Sequence, residues 1–152
     1  MKKFDFKLQP VLKYREHLEN LAKQEYVQAF MDVKAAEDAI ELIQRSFELM
    51  AKNIEDETQK GIPAQLFRQY NDYLDSLEND IALKRKEHEQ LQKILAVKQQ
   101  SLTKKSVDKK VLERLKEKKK VQYVEEFIAE EQNRADDMTS LKKAREVSEN
   151  GS

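Results

Sequence analysis

Apolar residues in this chain recur at alternating steps of three and four. Tyr26, Ala29, Val33, Ala36, Ile40, Ile43, Phe47, Met50 and Ile54 keep that rhythm without a polar interruption. Such steps average to the 3.5-residue repeat that holds one stripe of an underwound helix against a partner helix. Upstream the stripe continues through Val11, Tyr14, Leu18 and Ala22, with irregular spacing between Leu18 and Tyr26 that relaxes the supercoil locally. Pro10 belongs in a first turn, where its missing N–H is not needed, so a first helix is predicted over about 9–58.

The strong interior punctuation is KGIPA, from Lys60 to Ala64. Gly61 suits a left-handed cap and Pro63 suits the start of a new helix, which predicts a turn at 59–63 and a second helix over about 64–145. A second seam then runs through Phe67, Tyr70, Leu74, Leu77, Ile81, Lys84, His88, Leu91, Leu95, Lys98, Leu102, Lys105, Lys109 and Leu112. Folding back at Gly61 sets opposite one another residues whose numbers sum to about 121, so Ile54 faces Phe67, Phe47 faces Leu74 and Val33 faces His88. Ala36 faces Lys84, leaving room for the lysine stem to lie along the seam and reach water. The expected fold is all-α: two long helices in an antiparallel coiled-coil hairpin, one domain over 1–152. Paired arms of roughly 50 residues would be about 75 Å long at 1.5 Å per residue.

That pairing runs out of first helix near Leu115, so from about residue 116 the second helix is predicted to overhang. The overhang opens on a basic cluster, closes on an acidic one, and carries Val121, Val124, Ile128, Ala135 and Met138 as a stripe with nothing in the chain to cover it. A lone helix is marginal without packing, which makes a partner the expected source of its order. Ser101, Thr103, Ser106 and Asp108 compete for backbone hydrogen bonds and mark a candidate bend.

Composition sharpens this picture. Two Gly, two Pro and 38% charged residues suit long helices better than an ordinary compact core. Charges that balance to zero, with periodic apolar positions, argue against disorder. With no Cys there is no disulfide framework, thiolate ligand or catalytic thiol, as suits the cytoplasm. MKKFDFKLQPVLKYRE has a basic start but lacks the apolar run of a secretory signal, and no segment of about 18 apolar residues could span a membrane.

Enzyme chemistry finds little purchase. His17 and His88, the two histidines, lie on different predicted helices and form no local metal motif. Paired-carboxylate catalysis needs a cleft that two helices do not supply, and one interior Gly cannot build a phosphate loop. No cofactor, metal or small-molecule substrate is expected. Lys98–Lys120 carries ten Lys/Arg against three Asp/Glu, net +7. Phosphate neutralisation would make that a nucleic-acid surface. The neutral chain and the acids that follow favour an acidic protein surface or a solvated face instead.

Two stretches together carry a resemblance. FDFKLQPVLKYRE, with Phe4, Phe6, Leu8, Gln9, Val11, Leu12, Arg15 and Glu16, is similar to the opening of the flagellar export protein FliJ family. VLERLKEKKKVQYVEEFIAEEQNRADD resembles that family's closing pattern through Leu112, Leu115, Lys116, Glu117, Lys118, Tyr123, Glu130, Glu131, Gln132, Asp136 and Asp137. The resemblance implies a non-enzymatic, central-stalk-like coupling protein of flagellar type III export, cytoplasmic and peripheral to the inner membrane at the flagellar base. Its implied partners are the export ATPase hexamer, the cytoplasmic domain of the export gate membrane protein, and export chaperones, with no nucleic acid among them.

The family's gate-contacting pattern is an aromatic, a Leu four on, a small residue three on and a His four on. It maps to Tyr73, Leu77, Asp80 and Lys84, of which the last two depart from it. The ATPase ring would meet Lys116, Lys118, Lys119 and Lys120 by charge, and Val124 and Ile128 by burial. Competing readings are a generic coiled-coil spacer or chaperone and the related stalk of virulence secretion.

Overall fold

The computed structural model describes residues 3–151. It contains α1 (Gln9–Lys60) and α2 (Ala64–Asn150), packed against each other, with no strand among the described residues. The hairpin read from the heptads is therefore the fold. α1 begins where the Leu12 N–H reaches the Leu8 carbonyl at 2.9 Å, which puts Pro10 in the first turn. Its end is capped by Gly61 at φ +86°, the one positive φ among the described residues. The Phe67 N–H takes the Pro63 carbonyl at 3.1 Å, so Pro63 caps α2 and Ala64 is its first helical residue. α2 shows no break through Ser101–Lys110. The Thr103 hydroxyl donates to the Gln99 carbonyl at 3.0 Å, so it is satisfied on its own helix.

The described residues form two compact units: Leu18–Lys105, and the residues up to His17 with those from Ser106 onward. In the first, Ala22, Ala29, Val33, Ile54 and Leu77 are buried, and every seam position of α2 from Tyr70 to Lys105 is at least half-covered. Phe67 is exposed, with Leu66 turned inward in its place. Cross-helix contacts correct the register. Glu25 meets Lys98 at 3.1 Å and Glu37 meets His88 at 3.0 Å, pairs whose numbers sum to 123 and 125 rather than 121. Three residues, Gly61 to Pro63, leave the helices, so the chain folds about Ile62 and His88 pairs with Glu37 across the hairpin.

In the second unit, Phe6, Leu12 and Leu112 form a core with Phe4 and Leu115 packed on it. The upstream seam also differs from expectation. Here Leu12 is buried and Arg15 half-buried while Val11 and Tyr14 face water, and in the first unit Glu19 is buried alongside the expected Ala22 and the half-buried Leu18. A rigid helix keeps the sevenfold spacing set further along, so polar residues are carried into the interface and must find partners there. Arg15 Nη1 donates to the Asp108 carbonyl at 2.7 Å, and Glu19 takes Lys23 at 3.1 Å.

Candidate functional site

Near the turn, the residues matched to the gate-contacting pattern divide between two surfaces. Tyr73 is 47% exposed and Asp80 is exposed, whereas Leu77 is 8% exposed and packs into the seam. Lys84 is half-buried, with its ammonium 3.4 Å from Glu87. Leu77 thus belongs to the seam, and Lys84 pairs along its own helix, apart from the surface that Tyr73 and Asp80 present.

Sequence reasoning missed the α1 side of that surface. Gln44 and Phe47 share a groove with Glu78, Ile81, Ala82 and Arg85, which fixes one flank of the pair. Antiparallel packing then sets Leu42 and Leu49 on the other flank, the one that carries Tyr73. They are 67% and 65% exposed, unusual for leucines in a packed helix pair. The signal was their sevenfold spacing, Leu42 to Leu49, parallel to the seam. Nearer the turn the Tyr70 hydroxyl donates to the Glu57 carboxylate, and that hydrogen bond to an anion raises the phenol pKa above its usual 10.0.

At the far end of α2, the covered part runs further than α1 reaches. The non-helical arm Lys3–Leu8 lies along α2, and the Phe4 ring stands 5.6 Å from the Tyr123 ring at 52°. Phe4, Phe6, Leu8, Leu115 and Tyr123 line an apolar groove of about 680 Å³ there, edged by Lys119 and Glu126. Beyond Phe127 every described side chain of α2 is exposed.

The exposed apolar residues do not prolong the seam. Carried onward at its own spacing, the seam would pass through Tyr123, Glu126, Glu130, Asn133 and Asp137, all polar after the tyrosine. Val121, Val124, Ile128 and Met138, exposed by 47, 45, 51 and 72%, occupy nearly the opposite face of the helix. The segment is amphipathic with an acidic back. Next to it Lys116 is half-buried and Lys118, Lys119 and Lys120 are exposed, with no ion pair to a described residue. Residues 121–137 carry six acids and one arginine, net −5, directly after the net +7 of Lys98–Lys120.

No described cluster of His, Cys, Asp or Glu could hold a metal ion, and no helix of the described residues is long and apolar enough to cross a membrane. The model of the family described as Flagellar FliJ protein matches residues 4–148. The chain belongs to the FliJ family. FliJ membership implies a part in flagellar protein export and is membership of an export component rather than of a known enzyme family. The match covers nearly all of the arm and of α2, the whole of α1 and the segment of opposed charge. No curated protein and no solved structure matches the chain significantly.

Proposed function

We propose that this FliJ-family chain is a non-enzymatic coupling component of flagellar export, acting as a central stalk acts in a rotary ATPase. It works in the cytoplasm, peripheral to the inner membrane at the flagellar base. The supporting observation is the segment from Lys116 to Met138, basic at its start, acidic after, with an apolar face left open along α2. Complementary charge sets the rate and orientation of encounter with the export ATPase hexamer. Burial of Val124 and Ile128 then holds it, at about 25 cal/mol per Å² before entropic costs. Near the turn, Tyr73 and Asp80 meet the cytoplasmic domain of the export gate, with Leu77 in the seam and Lys84 paired along its own helix. Export chaperones are the third class of partner.

ATPase stimulation tests this reading. Reversing Lys116, Lys118, Lys119 and Lys120 to Glu should reduce stimulation, most at low salt, with helix content unchanged. Val124→Asp with Ile128→Asp should abolish it with weaker dependence on salt. Normal stimulation by both variants would leave the segment without a role at the ring.

A further inference from the structure

The outer face of α2 in this unit carries a second rhythm, distinct from the seam. Val111, Arg114, Lys118, Val121, Glu125 and Ile128 follow at steps of three, four, three, four and three, and all six are exposed. Such a row has the spacing of a heptad seam, half apolar and half charged, and is turned away from α1 and the arm.

Its order is self-complementary when reversed. In an antiparallel pair of copies whose facing numbers sum to 239, Val111 meets Ile128, Arg114 meets Glu125, and Lys118 lies over Val121 with its ammonium in water. Each contact occurs twice by symmetry. Residues 106–118, with five bases and three acids, then run beside residues 121–133 of the second copy, with four acids and no base. A shift of one heptad destroys the match. In one direction Arg114 faces Lys118; in the other Lys118 faces Ile128 and Val121 faces Glu125, so both charges meet apolar partners.

We propose that two copies of this chain associate antiparallel through this face, about an axis between Lys119 and Lys120. The association uses residues within one unit and leaves the α1 seam and the arm untouched. Because it covers Lys118, Val121 and Ile128, it excludes engagement of the same face by another partner. It does not rest on the ATPase reading, since the chain alone suffices to test it.

The absence of native cysteine makes the register directly readable. Under mild oxidation the full-length double variant Val111→Cys/Ile128→Cys should form a covalent dimer, while either single variant stays monomeric. Sedimentation equilibrium should find the unmodified chain dimeric at low salt. It should be monomeric near 1 M salt, where the screening length falls to about 3 Å. Arg114→Glu should weaken the dimer about tenfold by turning two attractions into repulsions, and adding Glu125→Arg should restore it. Circular dichroism controls for folding in each case. A monomer at low salt overturns the proposal, as does cross-linking of a single variant, which reports parallel pairing, or failure of the charge swap to rescue.

Discussion

The segment around Leu77 and the segment around Tyr123 belong to the same helix but solve burial differently. Around Leu77, α2 has α1 opposite it, one apolar seam, and an outer surface of charges and scattered apolar residues. Around Tyr123, an extended arm takes the place of α1, the seam turns polar, and apolar residues move to the far side. Apolar position along a helix therefore reports where a partner lies. When the stripe changes face, the expected partner has changed too.

Substitutions can break or sharpen this contrast. The largest expected effect is Leu77→Ala, about 2–3 kcal/mol from lost burial and the cavity left behind, measured by urea unfolding. A cost below about 1 kcal/mol would mean that Leu77 is a surface contact and not seam. Phe6→Ala should cost about 1.5–3 kcal/mol locally, by loss of its buried area. Amide exchange should then accelerate over Leu112–Tyr123 while Tyr26–Leu95 stays protected. Uniform acceleration would show that the arm belongs to one cooperative structure with the rest.

Gly61→Val should cost roughly 1–2 kcal/mol. Nothing lies within 4 Å of the added Cβ, so backbone strain alone sets the penalty, and Gly61→Asn should recover most of it in a thermal melt. Tyr73→Ala should change stability by no more than about 0.5 kcal/mol while weakening binding to the export gate. A large stability loss with normal binding would reassign Tyr73 to the core. The smallest effect is spectroscopic. Glu57→Gln should lower the alkaline titration of Tyr70 toward 10.0 by removing the anion beside it. The folded-state pKa is the raised one, so the contribution holds below the unfolded value and fades as pH climbs through the folded one. A titration unmoved by Glu57→Gln would remove that contact.

Both helices, the turn at Gly61 and the α2 seam from Tyr70 to Leu112 were legible because a heptad declares itself in apolar residues. The failures share a physical cause. Arg15 and Glu19 sit at seam positions that apolarity alone passes over, and Val11 and Tyr14 drew attention to a face that looks at water. The register slipped because the fold centres on Ile62 and not on the glycine that starts the turn. The arm has no helical period, although Phe4, Phe6 and Leu8 alternate as an extended segment packed on one side would. In the candidate gate surface, the spacing of Tyr73, Leu77, Asp80 and Lys84 mixed seam and surface residues, and the leucines of α1 stayed hidden because they belong to another part of the chain.

Synthesis order gives the arm a second significance. Tyr123, the ring partner of Phe4, is synthesised 119 residues after it. The hairpin can zip outward from Ile62 through contacts that are progressively more distant in sequence, and the arm closes the longest loop of all. Phe4 thus stays without its native ring contact until those 119 residues have been made.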